Sequence, residues 1–120
     1  MLNFGSFRRI FVARGTHDMR RGIDALSSVV SSEFRESPYS GDCFIFIGKN
    51  RKRLKALVWE GSGFWLCLKR LDRGLFDALP LDDSSDARVE MSAAQIHALL
   101  EGLVVEVIRR RRRSKGLANI

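Results

Sequence analysis

GKNRKRLKALVWEGSGFWLCLKRLDRG, residues Gly48–Gly74, decides how this chain folds. Two apolar runs, Leu54–Trp59 and Phe64–Leu71, flank a glycine turn, which is the sequence signature of a β-hairpin. Eight cations stand towards its ends (Lys49, Arg51, Lys52, Arg53, Lys55, Lys69, Arg70 and Arg73), and only Glu60 and Asp72 answer them. A rigid hairpin that presents cations beside Trp59 and Trp65 suits a polyanion. The plainer reading is a strand pair whose ends are solvated by Lys and Arg.

Register follows from the turn. A three-residue loop, Gly61–Gly63 with Gly63 left-handed, is the favoured connection. It sets Trp59 opposite Trp65, Leu57 opposite Cys67 and Lys55 opposite Lys69, so that one phosphate oxygen can lie between two ammonium groups. Phe44, Phe46, Ala56, Val58, Phe64, Leu66 and Leu68 then share one face, and Cys43, Ile45, Ile47, Leu57, Trp59, Trp65 and Cys67 the other. A two-residue turn would pair Trp59 with Phe64 and separate the lysines. Both faces are apolar, so each needs a cover: a helix on one, and on the other a second helix, a curling of the sheet or another subunit. A homodimer is one of the open alternatives.

Working outward, CFIFI (Cys43–Ile47) is an uninterrupted apolar strand and RIFVAR (Arg9–Arg14) a first one. Between them Asp18 is placed to cap a helix with Met19, Ile23, Leu26, Val30 and Phe34 on one face. Arg20 and Arg21 in its first turn would oppose the helix dipole, which points to a carboxylate or phosphate partner. Asp18 and Asp24 are the in-chain choices, Asp24 lying four residues from Arg20. After the hairpin, Phe76–Ala87 is an acidic loop. Ser92 and Gln95 form a capping box for a second helix with Ile96, Leu99, Leu100 and Leu103 on its apolar side. Val104–Ile108 reads as a last strand or an apolar extension. The expected fold is α+β: an antiparallel meander of three to four strands with two helices, flat or curled, in a single domain over residues 1–108. An arginine-rich tail, residues 109–120, has no apolar pattern and is expected to be disordered until it meets an anion.

Composition limits function. The chain has 120 residues, is 45% hydrophobic and 29% charged, and carries a net charge of +7, which suits one soluble domain. The charge is uneven: +6 in Gly48–Gly74, −6 in Gly74–Ile108 and +6 in Arg109–Ile120. An acidic partner is favoured. Cys43 and Cys67 lie in strand-like runs without metal-ligand spacing and read as reduced core thiols of a cytoplasmic protein. The N-terminal MLNFGSFRRIFVAR carries arginines where a signal peptide is apolar, and no run nears the ~20 residues of a membrane span. There is no phosphate-binding glycine loop, nucleophile elbow or His/Cys ligand set. His17 and Asp18 are sequence neighbours, poorly placed to share a proton. Asp18, Asp24, Glu60 and Asp72 could in principle gather around a metal as in nucleases, but Asp18 and Asp24 are better explained as a cap and an arginine partner. Neither an enzyme nor a cofactor is expected.

DMRRGIDAL (Asp18–Leu26), YSGDCFIFIGKNRKRLKALVWEGSGFWLCLKRLDRG (Tyr39–Gly74) and MSAAQIHALLEGL (Met91–Leu103) occur in this order. In them the chain resembles the small TnpB-type accessory protein encoded by the second reading frame of the insertion-sequence-66 family of bacterial transposable elements. Asp18, Met19, Arg20, Gly22, Asp24, Lys55, Trp59, Gly63, Lys69, Arg70 and Leu71 match that family's pattern. Arg53 stands where an acidic residue is usual, Glu60 replaces an Asp, and the arginine tail is unlike the usual ending. The resemblance implies a non-catalytic role in transposition beside a separate, larger transposase. The expected partners are the DNA of the element's ends and that transposase. Nucleic acid would be held by Arg20, Arg21, Lys49, Arg51, Lys52, Arg53, Lys55, Lys69, Arg70 and Arg73, by Trp59 and Trp65, and by Arg109, Arg110, Arg111, Arg112, Arg113 and Lys115 of the tail. The alternative is an adaptor that binds the transposase without touching DNA.

Overall fold

The structure is a computed structural model and describes residues 2–81 and 86–103. Its strands are β1 (Ile10–Ala13), β2 (Cys43–Ile47), β3 (Arg53–Glu60), β4 (Gly63–Arg70) and β5 (Arg88–Met91), with helices α1 (Ile23–Ser32) and α2 (Ala93–Leu100). β2, β3 and β4 form the expected antiparallel meander. The sheet is larger than expected, an open one of five strands in the order β4-β3-β2-β1-β5. It is mixed: β1 runs parallel to β2, because the chain returns through α1 between them. β5 pairs antiparallel with β1 on its other side. Only Val89 and Met91 of β5 point into the core, too short an alternation to stand out beside the acidic loop.

The hairpin turns on two residues, not three. Glu60 pairs with Gly63, Trp59 with Phe64 and Val58 with Trp65. Gly61, the first central residue, takes φ 57, a left-handed conformation that costs glycine nothing. This register puts Lys55 opposite Leu68 and Lys69 opposite Leu54, so the two lysines project from opposite faces of the sheet. No single anion is clasped between them.

Each face has its own cover. α1 lays Leu26, Val29 and Val30 on Phe11, Ala13, Phe44, Phe46 and Leu57, and Phe34 just beyond the helix stacks on Phe46 at 5.7 Å. The other face, with Ile10, Val12, Cys43, Ile45, Ile47, Ala56 and Val58, is closed by Ile96 and Leu99 of α2, by Phe4 and by Phe76 and Leu79. The second helix is therefore the cover, as one of the alternatives held. Phe76 and Leu79 belong to the supposed loop yet are buried. α2 starts on the expected capping box, Ser92 Oγ accepting from Gln95 N and Gln95 Oε1 from Ser92 N. Residues 104–108 and the tail 109–120 lie outside the described residues.

α1 begins four residues later than the apolar spacing suggested. Gly22 is its N-cap, without a side-chain cap bond. Asp18 instead organises a turn of its own: its carboxylate accepts from Arg20 N at 2.8 Å and from the Arg20 guanidinium at 2.7–3.1 Å. A short aspartate bonding the backbone two residues on competes with helix formation. Arg20 therefore pairs with Asp18 rather than Asp24, and neither arginine stands in the helix's first turn. Asp24 does, where a carboxylate suits the dipole.

Candidate nucleic-acid interface

The strand directions bring the C-terminal ends of β1, β2 and β4 and the N-terminal end of β3 to one end of the sheet. Three segments emerge there: the turn Thr16–Gly22 after β1, the loop Gly48–Lys52 between β2 and β3, and Leu71–Gly74 after β4. Backbone bonds tie them together. His17 N donates to Ile47 O at 2.7 Å, Leu71 N to Lys52 O at 2.8 Å and Phe76 N to Arg51 O at 2.7 Å. Gly48 is required at the junction, because a Cβ there would lie 2.5 Å from Met19 Cγ.

Lys55 fastens the turn to the sheet. Its Nζ donates to Met19 O at 2.8 Å and to Arg21 O at 2.9 Å. Two carbonyls of the DMRRG motif are thus held by one ammonium from the third residue of β3. This role was not legible in the sequence, where Lys55 counted only as a cation. Arg51, which takes φ 60, likewise turns inward, its Nε donating to Phe76 O at 2.8 Å.

Among the described residues, Arg21, Lys49, Lys52, Arg53 and Arg73 are exposed at this end and make no ion pair. The remaining cations of the hairpin and the motif are engaged: Arg20 with Asp18, Lys69 with Glu101 at 3.7 Å and Arg70 with Asp72 at 3.4 Å. All three pairs are largely exposed and are weak holds. The two tryptophans sit elsewhere. Trp59 and Trp65 lie beside the Gly61 turn, six strand residues from Arg53, which is about 20 Å. Trp59 packs edge-on against Phe64 and Tyr39, and Trp65 donates its indole N–H to Glu60 at 2.6 Å. At the far end Arg8 and Arg9 are taken up by Asp42, Glu36 and Glu90.

A cleft of about 520 Å³ opens beside the motif turn, lined by Thr16, His17, Asp18, Arg21, Glu33 and Lys49 among others. Arg20 hydrogen bonds hold the Asp18 carboxyl well below the usual carboxylate range, so it stays ionised. Burial pushes the His17 imidazole below its ordinary value, only partly offset by its contact with Arg14 O. His17 also packs edge-on against Phe46. Stability linked to His17 should be full above about pH 6.5 and decline as pH falls towards the lowered folded value, because the unfolded chain takes the proton more readily. Thermal unfolding between pH 7 and 5 should show this slope, and His17→Gln should flatten it. No group of three or more His, Cys, Asp or Glu side chains able to hold a metal occurs among the described residues. Cys43 is buried, which pushes its thiol up to about 12. No helix among the described residues is long and apolar enough to cross a membrane.

The arrangement defines a small α+β protein with a basic, loop-built sheet end. The IS66 Orf2-like protein family matches residues 8–110, and the chain belongs to that family. Its role is accordingly that of an accessory protein associated with transposition. Two uncharacterised proteins of Sinorhizobium fredii are similar to it: y4jC, 38% identical over 95 residues (79% of each chain), and y4hO, 34% identical over 103 residues (86% of this chain and 87% of that one). No solved structure matches.

Proposed function

We propose that this protein is a non-catalytic accessory factor that binds the DNA of its element's ends through the basic end of the sheet, beside the separately encoded transposase. One observation carries the reading: Arg21, Lys49, Lys52, Arg53 and Arg73 converge from three segments, exposed and without carboxylate partners among the described residues. Unneutralised cations on a rigid platform bind phosphates and release counterions. Arg20 and Arg70 can exchange exposed carboxylates for phosphates.

Trp59 and Trp65 stand apart from this platform, so base stacking is not needed for affinity. Trp65→Ala should leave duplex affinity within about twofold in a gel-shift titration, whereas a stacked base would be worth about 1–3 kcal/mol. Residues 109–120 add six basic groups by sequence. Removing them should weaken binding to any duplex equally and make it less salt-dependent. A protein that ignores duplex DNA at low salt would be an adaptor for the transposase instead.

A further inference from the structure

Among the described residues β4 is an open edge of the sheet and, at eight residues, a long one. The residues flanking a two-residue turn exchange both backbone bonds, so alternation directs Gly63, Trp65, Cys67 and Lys69 towards β3. Leu71 N bonding Lys52 O keeps the same step. The N–H and C=O groups of Phe64, Leu66, Leu68 and Arg70 therefore face outward. Trp65 and Leu68 are 59% and 58% exposed, and the first six residues of the strand, Gly63–Leu68, carry no charge. Long, apolar, unprotected edges are templates for another strand.

We propose that the β4 edge is a homodimer interface, in which β4 pairs antiparallel with β4 of a second copy about a twofold axis at Cys67. Two features select this occupant and register. Centring on Cys67 places all four outward residues opposite outward residues: Phe64 with Arg70 and Leu66 with Leu68, each twice by symmetry. That gives eight backbone hydrogen bonds, against six if the axis passes through Leu66 with Phe64 opposite Leu68. Charge agrees, since β4 carries no charged residue over Gly63–Leu68 and has Lys69 and Arg70 at its C-terminal end, with Arg73 just beyond. Antiparallel pairing keeps the two cationic ends apart and lays Lys69 and Arg70 beside the rings of Trp65 and Phe64 of the second copy. Parallel pairing would align like charges. The inference does not depend on nucleic-acid binding.

The register supplies its own probe. Cys67 faces Cys67 in a non-hydrogen-bonded pair, where Cα atoms approach to about 4.5 Å, within disulfide range. The full-length protein should sediment as a dimer at micromolar concentration. Diamide, which accepts the two protons and two electrons that the thiols lose, should yield a covalent dimer on non-reducing gels. Cys67→Ser should abolish that product, while buried Cys43 makes no contribution. Leu68→Lys should raise the dimer dissociation constant at least tenfold, while at concentrations where both proteins are monomeric its unfolding temperature should match the parent's, since Leu68 is exposed in the monomer. A monomer at every concentration, as expected if the edge serves a segment of another protein, would overturn the proposal. So would a dimer indifferent to Leu68→Lys, or a covalent product that survives Cys67→Ser.

Discussion

Replacing Lys55 with Met is expected to lower the unfolding temperature by roughly 10–20 °C and to weaken DNA binding as well. Met keeps the packing of the aliphatic stem but leaves Met19 O and Arg21 O without their ammonium donor. Hydrogen bonds to a charged group contribute about 1.5–3 kcal/mol each when sheltered. Lys55 is only half-buried and water can replace part of the loss at Arg21 O, so a total of about 2–3 kcal/mol is reasonable. In a domain of this size each kcal/mol moves the midpoint by roughly 4–8 °C. The turn that carries Arg20 and Arg21 would then lose its anchor. Arg21→Ala supplies the contrast, because it removes an exposed cation and should reduce affinity with no loss of stability. Calorimetry on both variants, with gel shifts alongside, separates holding the turn from touching the phosphate. A Lys55→Met protein as stable as the parent would show that the two carbonyl bonds hold nothing.

What the sequence disclosed and what it hid have physical causes. The meander and the capping box of α2 were legible because apolar runs, glycines and Ser92/Gln95 act locally. The hairpin register was not. β3 and β4 are apolar on both faces, so a one-residue slip costs little in pattern and burial does not report it. Gly61 and Gly63 each permit a turn, and only the folded chain shows that Gly61 is left-handed. The slip changes the candidate site, since it sends Lys55 to the motif turn and Lys69 to Glu101. The start of α1 was misplaced because Met19 lies four residues before Ile23 on a helix-like spacing, while Asp18 bonds Arg20 locally and Gly22 breaks the run. The parallel placement of β1 and the pairing of β5 are non-local and left no short-range trace. The concentration of cations was visible. Which of them are spent on Asp18, Asp72, Glu101 and backbone carbonyls was not.

The largest effect should come from removing together the five cations at the basic end of the sheet that make no ion pair among the described residues. Arg21, Lys49, Lys52, Arg53 and Arg73 bury little, so changing all five to Gln should leave the fold and its unfolding temperature close to those of the parent. Each phosphate contact contributes about 0.9 to the slope of log affinity against log salt, so up to about 4.5 of that slope should vanish. Affinity for a duplex at about 100 mM salt should fall at least roughly 100-fold, with element ends and unrelated duplex losing similarly, because phosphate contacts carry no sequence information. The most direct measurement is this salt titration, performed on parent and five-fold variant with the same duplex between about 50 and 200 mM salt. The account predicts a steep line for the parent and a markedly shallower one for the folded variant. Parallel lines of equal slope would contradict it and remove DNA from the basic end of the sheet.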